Sequence, residues 1–460
     1  VHKFITNIFL IKMNHQSKAK AYIVVFAVIL LSFTMGVVKA DIYVDILGGD
    51  EQRIPIVVLP FDVQTKKELK HKMDKIVLND LSRSGLFSLI EAPVTSHSFS
   101  SNNDVGYKFF RKLGAENIIA AQIKDNGPNS YLLRVSLYDV LLKKKKWTYS
   151  WGFSSKQLRQ SAHQISDLIF KEITGKESAF SSNLAFITVQ KNKKNRRIYR
   201  LQIADSDGFD AKTVLKSTDP ILSPAWSPNG QRLAYTSFEN GRSEIYIHHL
   251  QTGKRELVAS YKGINGSPAW SPDGESLAMT LSMQGNSEIY IMNLLTKKLR
   301  RLTKNPSIDT EANFSHNGKY VYFTSNRKGK PQIYRLNMYT GRTEQVTKIG
   351  EYNAGSSISK DGKYLALIHS SEKKLRVALY DIENEEFHPI TDTFLDDSPS
   401  ISPGANMLVY SSIDRINNNG QLVIMDLRAR SKTSLKISNG TVKEPAWGPA
   451  RQITFKKTLN

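Results

Sequence analysis

Beyond about residue 184, apolar positions come in short runs rich in β-branched and aromatic residues, and Gly, Asn, Asp and Ser separate one run from the next. This is the pattern of strands and turns. The phrase Ser223-Pro-Ala-Trp-Ser-Pro-Asn-Gly230 returns as Ser267 to Gly274, Glu311 to Gly318, Gly355 to Gly362, Ser398 to Gly404 and Glu444 to Pro449. Its large apolar position falls at Trp226, Trp270, Phe314, Ile358, Ile401 and Trp447, spaced by 44, 44, 44, 43 and 46 residues. That period is the length of one four-stranded propeller blade. Asn229-Gly230, Asp273-Gly274, Asn317-Gly318 and Asp361-Gly362 predict type I′ hairpin turns. Leu233–Thr236, Leu277–Thr280, Tyr320–Thr324 and Leu365–Ile368 follow as second strands, and Glu244–Ile247, Glu288–Ile291 and Gln332–Arg335 as third strands. The outermost strands, such as Arg255–Val258 and Arg300–Thr303, are polar, which protects a sheet edge from pairing with other chains. Leu184–Thr188 and Ile453–Lys456 also resemble second strands. The simplest closure lets the segment around Ala446-Trp447 serve as the innermost strand of the first blade, making six blades.

Residues 41–175 follow a different pattern. Ile54–Phe61 is a continuous apolar run suited to a buried strand, and Lys66–Ser84 sets Leu69, Met73, Ile76, Val77 and Leu81 on one helical face. Asp104–Leu113 and Lys156–Ile173 predict two more helices, with Asn117–Ile123, Tyr131–Leu142 and Trp147–Trp151 as strands. Gly175–Asn183 is polar and predicts the interdomain connection. The expected architecture is a small N-terminal α/β domain (41–175), then an all-β six-bladed propeller (184–450), then a tail (451–460).

The first forty residues stand apart. Ala21–Val38 is an uncharged, mostly apolar run behind Lys18 and Lys20, ending in Val38-Lys39-Ala40, which predicts a signal peptide cleaved between Ala40 and Asp41. The alternative is an uncleaved membrane anchor. Met13 is the expected start, with residues 1–12 an upstream extension. Removing residues 1–40 takes five lysines and no acids from a formal charge of +22, leaving +17. Such a chain attracts anionic partners or an anionic membrane surface. Lys143–Lys146, the densest basic run, sits between two β-like stretches and reads as a solvated hairpin turn. No aromatic ladder interleaves with basic residues, so nucleic acid is not expected as a partner.

Candidate chemistry is sparse. The chain has no cysteine, no Gly-x-Ser-x-Gly nucleophile turn, no His-Glu-x-x-His pair and no phosphate-cradling glycine loop. His248 and His249 are adjacent in a strand and point to opposite faces. No catalytic residue, metal or cofactor is expected. The rival readings are a propeller-containing hydrolase or peptidase relative and a propeller that binds a small ligand. What the repeat does locate is a mouth: the segments leading into the innermost strands converge around one end of a propeller channel. These are Leu222-Ser223, Ile264–Ser267, Thr310-Glu311, Asn353–Gly355, Asp396–Ser398 and Lys443-Glu444. Asp41-Ile42-Tyr43-Val44-Asp45-Ile46 alternates acidic or polar with β-branched residues, suiting either an edge strand of its own protein or one added to a partner's sheet.

Pro55–Phe61 opening an α/β domain, followed by six Ser-Pro-Ala-Trp-Ser-Pro-Asp-Gly units, resembles the TolB family, the periplasmic component of the Tol-Pal system. Ser237–Ser243, Thr324–Tyr334 and Thr393–Pro399 carry the likeness further, over essentially all of residues 41–449. The resemblance implies a periplasmic, monomeric binding protein that links the lipoprotein Pal at the outer membrane to TolA at the inner membrane. Its role would be envelope integrity and constriction during cell division. Other outer-membrane proteins and colicin-type toxins would be further partners, and membrane association would run through partners. The Pal-binding mouth is then expected at Ser223, Ile264, Ser267, Thr310, Glu311, Asn353, Asp397 and Glu444. Thr310-Glu311 matches a Pal-contacting pair and Ser267 another contact, while Ile264 stands where the family favours a polar residue such as histidine. Asp41 to Ile46 would reach TolA.

Overall fold

The computed structural model describes residues 44–46, 53–92, 106–371, 374–391, 395–413, 420–427, 430–435, 437, 440–451 and 456–457. The expected signal peptide, the Ala40/Asp41 cleavage site and Ile42 and Tyr43 lie outside them. Strand β1 (Val44–Ile46) is followed by β2 (Ile54–Val58), β3 (Asp62–Gln64), helix α1 (Met73–Arg83), β4 (Phe87–Leu89) and helix α2 (Tyr107–Lys112). Then come β5 (Asn117–Asp125), β6 (Ser130–Asp139), β7 (Lys144–Ser154) and helix α3 (Leu158–Thr174). One sheet runs β7-β6-β5-β2-β4, with β3 beside β5 and Lys456–Lys457 on the outer edge of β7. β2 lies parallel to β4 and β5, as strand–helix–strand crossovers require. The tail thus returns to the N-terminal sheet.

Helix α1 begins seven residues later than its apolar spacing predicts. Lys66, Lys67, Lys70 and Lys72 crowd the stretch ahead of it, and positive charge opposes the positive end of a helix dipole. The Lys66 N–H instead donates to Asp125 Oδ2 at 2.8 Å.

Six four-stranded blades follow. Blade 1 pairs Asn183–Lys191, Arg197–Asp205 and Lys212–Ser217 with Thr441–Trp447, so the last propeller strand closes the ring on the first. The other innermost strands are Ile221–Trp226, Asn265–Trp270, Asp309–Phe314, Tyr352–Ile358 and Asp396–Ile401. β1 adds a fifth strand to the outer edge of blade 6, pairing Val44 to Ile46 with Thr433 to Ser431. The repeated tryptophans join blades: the indole N–H of Trp226 donates to Ala446 O and that of Trp270 to Ala225 O, both at 3.1 Å. Arg232 stacks over the Trp270 ring with its guanidinium carbon 4.4 Å from the centroid.

The Asn-Gly and Asp-Gly turns are not type I′. Only Gly230, Gly274, Gly318 and Gly362 take positive φ. The residue before each keeps negative φ because its side chain has work to do: Asn229 Oδ1 accepts the Gln231 N–H at 3.1 Å and the Ser227 hydroxyl at 2.8 Å. Ser227 Oγ in turn accepts the Arg232 N–H at 2.9 Å. Ser271 with Asp273, Ser315 with Asn317 and Ser359 with Asp361 repeat the arrangement, which is a longer turn ending in a left-handed glycine.

The connection between the two layers is polar in sequence, yet from Ser178 to Ser182 it is buried. The Asp167 carboxylate of α3 accepts the Ser178 hydroxyl at 2.6 Å and the N–H groups of Phe180 and Ser181 at 2.8 and 3.0 Å. One hydrophobic cluster then runs from Ile56, Leu81, Leu133 and Ile165 through Phe170 and Phe180 to Leu184, Phe186, Val409, Leu422 and Trp447. Each such side chain contributes about 1.5–3 kcal/mol on burial. No helix among the described residues is long and apolar enough to cross a membrane.

Candidate functional site

Every innermost strand breaks its ladder at the same place. Pairing runs through Leu222↔Thr236 and resumes only at Ala225↔Ala234, and the same skip recurs after Gly266, Thr310, Ala354, Asp397 and Lys443. The residue after each break is left-handed: Ser223 (φ 51°), Ser267 (48°), Glu311 (57°), Gly355 (62°), Ser398 (52°) and Glu444 (49°). A non-glycine residue pays about 1–2 kcal/mol for this conformation. Five such residues at one strand position mark a deliberate geometry. All six line a single channel of about 1140 Å³.

Two glutamates of this ring brace the neighbouring blade. Glu311 Oε2 accepts the Thr324 hydroxyl at 2.7 Å and the Gly355 N–H of the next blade at 2.9 Å. Glu444 accepts the Ser223 N–H across the blade 1–blade 2 boundary. Burial pushes the Glu444 carboxyl up, the Ser223 N–H opposes that, and the nearby Asp397 and Glu311 charges add to it, so its pKa reaches about 7. Tyr352 is raised as well, by burial first and then by Glu311 and Asp397. The ring of this basic chain is therefore locally acidic.

The structure brings together most of the expected mouth residues. Ser223, Ser267, Glu311, Asp397 and Glu444 line the channel. Thr310 is half-buried one residue before the ring, and Ile264 stands exposed at its edge. Asn353 departs from the expectation: it is fully buried. Its side-chain amide donates to Ile349 O and Gln332 Oε1, each at 2.7 Å, and its Oδ1 meets His369 Nδ1 at 3.0 Å. It supports the loop from beneath and offers nothing to a docked partner. Gly355 and Ser398 complete the ring: both end expected converging segments without being among the eight named contacts, and each lies three residues before the repeated large apolar position, as do Ser223, Ser267, Glu311 and Glu444. Of the N-terminal segment, Val44, Asp45 and Ile46 form β1 on blade 6, while Asp41, Ile42 and Tyr43 lie outside the described residues.

The opposite end of the channel meets the α/β layer. Asp167, Lys171, Glu177 and Ser181 line it there, and the Trp447 indole donates to Ser182 Oγ at 2.6 Å. Beside this contact lies a charge cluster that sequence reading missed. His163 Nδ1 is 2.7 Å from Asp80 Oδ2, and its Nε2 is 3.8 and 3.9 Å from carboxylate oxygens of Asp205 and Asp207. Burial would lower the His163 pKa, but the Asp80, Asp205 and Asp207 carboxylates outweigh it and hold the ring protonated up to about 10. Arg83 Nη1 donates to Ser206 O at 2.6 Å and Nη2 to Asp80 at 2.9 Å, tying α1 to the blade 1 turn. Among the described residues, His163, Asp205 and Asp207 alone come close enough to share a metal ion. They do not fit one: Arg159 already holds both carboxylates, at 2.8 and 2.6 Å, through the same oxygens that face His163.

A family model described as the TolB amino-terminal domain matches residues 42–146, and one described as the TolB beta propeller domain matches residues 170–451. The chain belongs to the TolB family. It is 46% identical over 419 residues to the Tol-Pal system protein TolB of Hydrogenovibrio crunogenus, covering 90% of this chain and 95% of that one. The protein of the same name from Nitrosococcus oceani is 50% identical over 413 residues, covering 90% and 94%. The crystal structure of TolB from Acinetobacter baumannii superposes with a TM-score of 0.79 at 38% identity, covering 89% of this chain and all of that one. The likeness to these TolB proteins thus spans both layers.

Proposed function

We propose that this TolB-family chain is a periplasmic scaffold of the Tol-Pal system that receives Pal at the six-residue ring and reaches TolA through Asp41 to Ile46. It carries out no chemistry at either place. Envelope integrity and constriction at division follow from that linkage, and colicin-type toxins or other outer-membrane proteins would compete for the same ring. The relatives' shared name supports membership of the system. The observation that carries the binding role is the ring itself, with one left-handed residue from every blade, five of them not glycine, lining the channel. Backbone in that conformation turns polar groups toward the channel instead of spending them on the ladder. The N-terminal role draws on β1, which among the described residues pairs with blade 6 through three residue pairs, a short edge contact that a chain-end segment can leave at small cost.

Binding of residues 42–460 and of the chain from Asp41 to the periplasmic parts of Pal and TolA from the same organism tests this reading by calorimetry. Reversing charge with Glu311→Lys should weaken Pal binding by about tenfold or more, as expected for a close charged contact. Deleting Asp41 to Ile46 should abolish TolA binding and spare Pal. Equal loss of both partners on that deletion, or peptide hydrolysis with no protein bound, would overturn the proposal.

A further inference from the structure

The β6–β7 hairpin carries an unusual tip. Between Asp139 and Lys144 the chain turns through Val140, Leu141, Leu142 and Lys143, with Lys143 left-handed at φ 51°. Val140 is fully buried beside Phe110, yet the next two residues face outward, Leu141 56% and Leu142 62% exposed. This is a braced shape and not a loose loop. Asp139 accepts the Leu142 N–H at 2.8 Å and pairs with Lys146 Nζ at 3.0 Å, while the Val140 N–H donates to Glu116 O at 2.9 Å. Two leucines are therefore held in water by a built turn, at a cost that burial elsewhere would recover.

Their surroundings are basic. Lys143, Lys144 and Lys145 follow directly. Helix α2 packs on the hairpin base through Phe110 and adds Lys108, Arg111 and Lys112, together with Phe109, which is 39% exposed. Asp139 is committed to Lys146, and the exposed acids here among the described residues are Glu116 and Glu91. The lysine run by itself reads as a solvated turn; the exposed leucines beside it change that reading. A convex tip that combines apolar side chains with long cationic ones suits a fluid anionic surface, into which leucines insert while lysines reach the headgroups.

We propose that the β6–β7 tip, with α2 beside it, is a peripheral contact for an anionic lipid bilayer. A docking protein would need a broad or concave face, whereas this feature projects. The surface is separate from the channel ring, so lipid contact and partner binding do not compete for residues.

Residues 42–460 form one compact unit and omit the apolar N-terminal run, so they are the form to test. They should co-sediment with phosphatidylcholine vesicles containing about a third phosphatidylglycerol, not with pure phosphatidylcholine, and release as salt rises. Leu141→Ser with Leu142→Ser should reduce partitioning about tenfold at unchanged charge. Replacing Lys143, Lys144 and Lys145 with Gln should reduce it by at least about tenfold and flatten the salt dependence. Because the chain has no cysteine, Leu142→Cys bearing an environment-sensitive dye gives a second readout, a blue shift with anionic vesicles. No sedimentation with anionic vesicles, binding that survives the leucine substitutions, or capture of a protein through the tip without vesicle binding would each overturn the proposal.

Discussion

The Glu444 carboxylate accepts the backbone N–H of Ser223, joining the last innermost strand of the ring to the one that begins blade 2. This contact sits where three carboxylates face one another, and burial with Asp397 and Glu311 raises the Glu444 pKa to about 7 from 4.5. Between those two values the folded chain binds a proton that the unfolded chain releases. Stability from this group is present below about pH 4.5 and declines as pH rises through 7. Glu444→Gln removes the charge while keeping an acceptor for Ser223. It should raise Tm by about 2–4 °C at pH 8 and leave it nearly unchanged at pH 4.5. Thermal melts at the two pH values check this; an equal shift at both would show that the carboxylate is not the cause.

His163 has a dependence of the same sign in a more alkaline window. Its folded pKa, about 10, lies above the ordinary 6.5, so its contribution is complete below pH 6.5 and fades as pH approaches 10. His163→Gln removes one of the two cations on buried Asp80, leaving Arg83, and should cost about 1–3 kcal/mol near pH 6. The gap from the parent should narrow steadily toward pH 10. Denaturant titration across that range measures it.

Trp270 fills an inter-blade position, is 7% exposed, and spends its indole N–H on Ala225 O. Trp270→Ala opens a cavity and strands that carbonyl, for an expected loss of about 3–5 kcal/mol. Trp270→Phe keeps most of the volume and should lose about 1–2 kcal/mol, chiefly the hydrogen bond. Comparing the two by urea unfolding separates packing from bonding.

Gly404 lies where the blade 6 turn meets the buried connection, and a Cβ there would stand 2.6 Å from Glu177 O. Its backbone is ordinary, so the obstacle is contact and not conformation. Gly404→Ala should destabilise by about 1–3 kcal/mol and raise amide exchange around residues 177–182. Exchange confined to blade 6 would count against that interpretation.

The blade count and its closure were legible because Trp226, Trp270, Phe314, Ile358, Ile401 and Trp447 recur at almost one spacing, and each packs the same joint. The turn type was misread because Asn229 and its equivalents can serve either as left-handed backbone or as side-chain acceptors, and the local sequence is the same for both. Ser227 decides between them, from two residues away. The ring was half legible. The converging segments contain Gly355 and Ser398, and counting back three from each large apolar position singles them out, whereas the contact chosen in the first of those segments, Asn353, is buried. The His163 cluster left no local trace, since Asp80, His163 and Asp205 are far apart in the chain and meet only when α1, α3 and the blade 1 turn pack together. Leu141 and Leu142 looked like the end of a strand; their exposure depends on Asp139 turning the chain early.

The hydrophobic cluster that runs unbroken from the N-terminal sheet into blades 1 and 6 leaves this molecule with no natural seam. A propeller expressed from residue 184 onward would lose Phe170 and Phe180 from that cluster and would be less stable than the whole molecule.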